Sequence, residues 1–401
     1  MAGSWTRCRV QRLRRCDPAM LTRRGAGVAA VLVALFIFGS LVHYREVDTL
    51  FAAGVIALVA GFGWVLRRPH LQVERSIEPE RVTRGDVALG LLAIRNPGKI
   101  AVSPTVAVEQ LGPETISVEI PRLAPGAATR TTYRLPTDRR AVIDVGPLTV
   151  TRQDPFGLWR TTQRIGSLER LWVHPVAHVV RGLPVGRSRS HDGPDADEIP
   201  QGSVTFHTLR EYVIGDDLRH VHWKSSARLG ALMVREHVDT SLPLFTVVLD
   251  TSADRYSPES FEEAVEAAAS VVVAATAARF PVRLVMPESR GASGKGMPGD
   301  ASELLDCLAA AQLSSGAVLA EVAHGLARER RGDVLVVITG AAEDGSLEAV
   351  GALGKRFSAG VIGIIAPDPD AVRCPAPRNV TVLRARTGAE LASMWNAGAQ
   401  A

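Results

Sequence analysis

Asp250, Ser252 and Asp254, alternating within Asp250-Thr251-Ser252-Ala253-Asp254, are the residues of this chain best suited by type and spacing to hold a cation. Carboxylate and hydroxyl oxygens are hard ligands of the kind that Mg2+ or Ca2+ takes. The triplet follows at once the apolar run Leu244-Phe245-Thr246-Val247-Val248-Leu249, which reads as a strand buried on both faces. Loops at the carboxyl ends of such strands form the ligand crevice of an open parallel sheet. Glu343 and Asp344 add carboxylates after a later apolar run at 333–339. The triplet also reads without a ligand, as a polar strand end whose Asp caps the next turn. Other chemistries find less support. Gly291-Ala292-Ser293-Gly294-Lys295 lacks the spacing of a phosphate-binding loop, and no Gly-x-Ser-x-Gly, His-Glu-x-x-His or kinase set occurs. No catalytic residue is expected.

A second concentration of special residues runs from 209 to 236. Gly215 permits a tight turn, and Asp216 or Asp217 is placed to cap a short helix. Leu218 and Val221 fall on one helical face, with Trp223 expected as a buried anchor. Arg210, Arg219, Arg228 and Arg235 offer planar forks for carboxylates or phosphates. His220 and His222 are two apart, a poor metal pair on a helix. Two readings stand side by side: a structural clasp of Asp–Arg pairs around a buried Trp, and a recognition surface for a partner or an anionic ligand.

The pattern Arg210, Tyr212, Gly215, Asp216, Arg219, Trp223, Ser226, Ala227, Arg228, Val234 and Arg235 resembles the signature of the bacterial domain-of-unknown-function 58 family. The turn Asp154-Pro155-Phe156-Gly157-Leu158 is also typical of that family. The resemblance implies a C-terminal half similar to von Willebrand factor type A domains, an α/β, Rossmann-like fold. On that reading Asp250 and Ser252 resemble the metal-ion-dependent adhesion motif Asp-x-Ser-x-Ser, with Mg2+ as the implied cofactor. Asp254 stands where the motif has its second Ser, Ser302 is its threonine candidate, and its later aspartate falls at Gly340. Asp254, Glu343 and Asp344 are the carboxylates that would compensate. The family further implies work with a MoxR-type AAA+ ATPase and transglutaminase-like membrane proteins in assembly or envelope processes. It supplies no settled reaction.

A chain of 401 residues suits two or three units. The net charge of +4 is unevenly spread. Residues 1–24 hold seven Arg and one Asp, which leaves the rest of the chain mildly acidic. The basic pI therefore belongs to a tail, and nucleic acid is not an expected partner. Cys8, Cys16, Cys307 and Cys374 form no CxxC, so a reducing compartment fits.

Residues 25–42 and 49–66 are two uncharged apolar runs of bilayer-spanning length, joined by a short link. Arginines precede the first and Arg67-Arg68 follow the second. Positive-inside logic thus expects a multi-pass hairpin in the cell membrane, with both termini and the C-terminal region cytoplasmic. Rival readings are a signal peptide or a twin-arginine leader at Arg23-Arg24; the long apolar run and the second span argue against them. From 70 to 166, short strand-like runs alternate with turns such as Asn96-Pro97-Gly98, which predicts an antiparallel, immunoglobulin-like β-sandwich. Residues 167–240 read as linker plus signature, with a mobile loop at 182–202. Residues 241–397 alternate strands (244–249, 282–286, 333–339, 360–366, 379–383) with helices (258–279, 301–312, 317–330, 347–358, 388–395), an open, mainly parallel α/β domain. The expected function is a membrane-anchored cytoplasmic interaction or scaffold protein. The alternative is a divalent-metal-dependent hydrolase of a phosphorylated or acidic substrate.

Overall fold

The computed structural model describes residues 15–16, 19–42, 44–66, 71–184, 205–212, 221–238, 243–287, 294–296, 299–315, 319–328, 333–341, 344–372, 374 and 380–398. The chain divides into two compact units, Met1–His174 and Pro175–Ala401.

The first unit opens with two short strands, β1 (Arg15–Cys16) and β2 (Met20–Leu21), and two helices, α1 (Arg23–Val42) and α2 (Arg45–Leu66). At 20 and 22 residues, the helices run about 30 and 33 Å, enough for a hydrocarbon core of about 30 Å. Both are long and apolar enough to cross a membrane. Helix α2 begins four residues earlier than its uncharged run predicts. Glu46 and Asp48 occupy its first turn, where carboxylates favour the positive end of the helix dipole. Gly54 lets the helices approach: a Cβ there would lie 2.3 Å from Leu32 Cδ2. Phe36, Ile37, Leu41, Ile56 and Val59 point outward and stay exposed.

Nine strands follow: β3 (Gln72–Glu78), β4 (Arg81–Thr83), β5 (Leu89–Arg95), β6 (Thr105–Leu111), β7 (Glu114–Ile120), β8 (Ala128–Arg134), β9 (Ala141–Gln153), β10 (Trp159–Ile165) and β11 (Glu169–His174). Strands β3, β5 and β8 make one antiparallel sheet, and the second runs β1-β10-β9-β11-β4 with β6 and β7 branching from β9. Ile77, Leu92, Ile94 and Tyr133 from the first sheet and Ala107, Val118, Val145, Leu148 and Leu171 from the second share one core. Two sequence expectations shift. The β-rich region extends past 166, because β11 pairs with β9 across Glu169↔Val145 to Val173↔Ala141. It is not wholly antiparallel, since β11 pairs with β4 in parallel. Inside it, Arg75 and Glu109 form an ion pair with both side chains fully buried, and Arg75 also donates to Ser167 O.

The second unit contains β12 (Thr205–Glu211), α3 (Trp223–Leu229), β13 (Met233–Val238), β14 (Phe245–Leu249), α4 (Pro258–Ala277), β15 (Val282–Val285), β16 (Gly294–Gly296), α5 (Ser302–Ala310), α6 (Leu319–Arg328), β17 (Val334–Thr339), α7 (Asp344–Gly354), β18 (Ala359–Ile365), β19 (Val380–Ala385) and α8 (Gly388–Gly398). Six strands order as β16-β15-β14-β17-β18-β19. All pairs are parallel except the edge pair β15–β16. Side chains alternate across a strand, and here that alternation builds two cores. Phe245, Val247, Leu249, Val336 and Ile338 face α4, α5 and α8. Val248, Leu335 and Val337 face α6 and α7. Helix α4 starts with Pro258 at its first position and a reciprocal Ser257–Ser260 capping box, which satisfies the orphan N–H groups of its first turn.

Not all of 167–240 is linker. Residues 169–174 form β11, and the stretch after it is part of the second unit. There the His178 N–H donates to Ser270 Oγ (2.8 Å), and Val180 joins the core. Most of the expected mobile loop at 182–202 lies outside the described residues.

Candidate functional site

Asp250 sits directly after β14, at the carboxyl end of the sheet, as the apolar run before it predicts. Its side chain is fully buried, and the donors around it come from the loop after β14 and from the end of β17. One oxygen, Oδ1, accepts from the Ser252 N–H (3.1 Å) and from Ser252 Oγ (2.6 Å). The other, Oδ2, accepts from the Arg255 guanidinium (2.8 Å) and from Thr339 Oγ1 at the end of β17 (2.7 Å). Backbone bonds close the loop around it: Ala253 N–H to Ser314 O (2.9 Å), Ser314 N–H to Thr251 O (2.8 Å) and Ala341 N–H to Arg255 O (3.1 Å).

The structure thus brings Asp250 and Ser252 together and leaves Asp254 apart, exposed on the 3-10 turn Ala253–Arg255. Ser302 starts α5 with its own N–H bonded to Asp300 (2.8 Å), and the hydroxyl from another element that reaches Asp250 is Thr339. Glu343 lies outside the described residues, and Asp344 is described only as the first residue of α7. Gly340, where an adhesion site would have its aspartate, is covered. A Cβ there would stand 2.3 Å from Arg255 O and 2.9 Å from the Tyr256 ring. Tyr256 closes the dry side of this loop. Burial first, and then the Asp250 charge, push its phenol well above the ordinary value.

These residues do not fit Mg2+. A divalent cation needs oxygen lone pairs turned toward it. Here four protein donors already occupy the two Asp250 oxygens, and one of them is a guanidinium whose charge takes the place a cation would fill. Among the described residues no group of three His, Cys, Asp or Glu side chains converges as a metal site. Sequence reasoning missed Arg255 and Thr339. An Arg one residue beyond the triplet, and a Thr at the carboxyl end of the adjacent strand, were the signals available.

The signature segment is a second site candidate. Strands β12 and β13 pair antiparallel, with Arg210 opposite Val234 and Arg235 opposite Leu209. Ser226 is buried: its Oγ donates to His222 O (3.1 Å) and accepts from the Met233 N–H (2.8 Å), tying α3 to β13. Helix α3 ends at Gly230, whose φ of 70° is the left-handed conformation that glycine adopts without cost. Tyr212 is half-buried, while Ala227 and Arg228 are exposed. Gly215, Asp216, Arg219 and the expected Asp cap lie outside the described residues.

Trp223 corrects the sequence reading. It is 65% exposed, because it is the first residue of a helix only seven residues long, which is fastened instead by Ser226. Val221 is likewise in a β-bridge with Val234 rather than on a helical face. At the other end of the helix Leu229 is 65% exposed, and Leu232 after it is 42% exposed. Lys224 and Arg228 of the same helix are exposed as well.

Residues 208–394 match the model of the family described as "Protein of unknown function DUF58". Through this stretch the chain belongs to the DUF58 family. The match begins in β12 and ends in α8, so it takes in α3, the Asp250 loop and the parallel sheet of this DUF58 region. No curated protein matches the chain. Among solved structures, the CARDB domain of the PF1109 protein from Pyrococcus furiosus, described as in complex with di-metal ions, is 16% identical. It covers 26% of this chain and 93% of that one at a TM-score of 0.19. A putative cell surface protein domain from Methanosarcina acetivorans is 21% identical, covering 26% and 95% at 0.16. The sporulation control protein Spo0M of Bacillus subtilis is 15% identical, covering 26% and 49% at 0.16. At such TM-scores these likenesses carry no weight for function.

Proposed function

We propose that this DUF58 protein is a membrane-anchored cytoplasmic interaction or scaffold protein, and that its signature segment presents the docking surface. The observation that carries the reading is the exposure of Trp223 and Leu229 on a helix that Ser226 holds to β13. Trp and Arg are the residue types over-represented among interface hot spots, and Trp223 with Arg228 supplies both. The anchor is the α1–α2 hairpin. The arginine distribution at its flanks supports a cytoplasmic location for the rest of the chain. The resemblance to the family makes a MoxR-type AAA+ ATPase the first partner to seek and transglutaminase-like membrane proteins the second, with assembly or envelope processes as the setting.

The test is crosslinking and affinity capture of tagged full-length protein from native membranes, comparing wild type with Trp223→Ala and Leu229→Ala. Capture of an AAA+ ATPase by wild type, lost in variants that melt like wild type, supports the reading. Equal capture by all three moves the interface elsewhere. Divalent-metal-dependent hydrolysis of a phosphorylated substrate by purified protein, abolished in Asp250→Ala, would overturn the reading in favour of an enzyme.

A further inference from the structure

The turn Asp154-Pro155-Phe156-Gly157-Leu158 between β9 and β10 is built onto both helices of the hairpin. On the α1 side, the Thr22 N–H donates to Leu158 O (2.8 Å) and Thr22 Oγ1 donates to Gly157 O (2.6 Å). Gly25, in the first turn of α1, lies against the same carbonyl: a Cβ there would be 2.3 Å from Leu158 O. On the α2 side, Trp159 Nε1 donates to Leu58 O (3.0 Å), and its ring lies 4.9 Å from that of Phe62. Gly61 leaves room for the turn, since a Cβ there would be 3.1 Å from Asp154 Oδ2. Asp154 is buried and accepts from the Phe156 N–H (3.0 Å) and the Trp159 N–H (2.6 Å), so the turn is held from within as well.

Its height along the hairpin is informative. Leu58 lies eight residues before the end of α2 at Leu66, roughly 12 Å at 1.5 Å per residue. The turn therefore lies beside the last two turns of α2 rather than beyond them. The residues of α2 that run past it, Val59, Phe62, Trp64 and Leu66, are apolar and exposed. Next to the turn, Met20 and Phe156 are 60% and 62% exposed and Leu21 is 40% exposed. Arg23 and Arg24 beside them are exposed too. Apolar tips interleaved with Trp and Arg are the composition found where a protein crosses the bilayer–water boundary. In water alone they would form an unmatched apolar patch.

We propose that Met20, Leu21 and Phe156 form a lipid-contacting wedge. Phe156 enters the boundary between headgroups and acyl chains, and the turn fixes the β-sandwich against the membrane surface instead of letting it hang from a free linker. The proposal rests on the reading of α1 and α2 as a membrane hairpin.

Full-length protein with its four cysteines changed to Ser would carry one nitroxide at a time, at Phe156→Cys, Ile56→Cys or Val87→Cys, in nanodiscs of phosphatidylcholine and phosphatidylglycerol. Relaxation by oxygen and by a water-soluble nickel chelate reads the depth of each label. Ile56, exposed mid-helix on α2, reports the hairpin, and Val87, exposed before β5, sets the aqueous reference. The expected result is an oxygen-to-nickel accessibility ratio several-fold above the Val87 value at both Ile56 and Phe156. A ratio at Phe156 equal to that at Val87, with Ile56 still lipid-like, overturns the wedge and leaves the hairpin standing. An aqueous ratio at Ile56 overturns both.

Discussion

Replacing Arg255 by Ala removes the cation that lies 2.8 Å from an Asp250 oxygen. The Asp250 side chain has no solvent exposure and that of Arg255 only 9%, so water cannot take over the lost contact without the loop opening. Breaking one partner of a buried pair costs about 3–5 kcal/mol, because the charge left behind is uncompensated. The hydrogen bonds from Ser252 and Thr339 remain and hold the value toward the lower end. For a unit of this size each kcal/mol is worth about 2–4 °C, which places the fall in melting temperature at roughly 6–20 °C. Detergent-solubilised full-length protein, followed by intrinsic fluorescence during heating, gives the measurement. A cycle with Asp250→Ala and the double variant isolates the pairwise part, expected at about 1–3 kcal/mol. Wild type should melt at the same temperature in EDTA and in excess Mg2+, since a protein cation already neutralises the carboxylate. An Arg255→Ala variant within 1 °C of wild type, or a Mg2+-dependent rise in wild type, would refute the reasoning.

Three further outcomes follow from the same geometry. Trp223→Ala, at an exposed position, should change stability by no more than about 0.5 kcal/mol, measured by the same thermal scan. Gly340→Ala should cost about 1–3 kcal/mol through overpacking against Arg255 O and the Tyr256 ring, read as a lowered urea midpoint at unchanged slope. Tyr133 is held up at about 12 by burial and then by the Glu109 charge. An acid whose folded pKa is raised contributes fully below its unfolded value near 10, and that contribution disappears as pH rises toward 12. After screening by solvent, the contribution is on the order of 2 kcal/mol. Tyr133→Phe should therefore flatten the loss of stability between pH 10 and 12, in melting temperatures taken at half-unit steps.

The parallel sheet was legible because its strands are continuous apolar runs: Phe245–Leu249 and Val334–Thr339 are buried at every residue. The two N-terminal helices were legible because uncharged runs of this length, joined by a short link, read as paired helices. Strand β10, Trp-Arg-Thr-Thr-Gln-Arg-Ile, was missed because it buries little more than Thr161 and Ile165 and so shows no hydrophobic period. Trp223 misled by type. A lone Trp among arginines reads as an anchor, yet the short helix it begins is fixed by a serine hydroxyl. The Asp250 loop follows its strand as the apolar run predicts, but Arg255, which meets the carboxylate, lies outside the motif and carries no signal in it. The covering of Gly340 by Tyr256 is a tertiary contact with no local pattern at all.

Photo-crosslinking tests whether α3 is a docking face. A benzophenone amino acid placed at position 223 of full-length protein would be irradiated in native membranes, beside a control at Ile100, which is 70% exposed. The expected result is a discrete adduct at 223, identified by mass spectrometry as an AAA+ ATPase subunit and absent at 100. The same faint ladder at both positions, or no adduct at either, would contradict the claim.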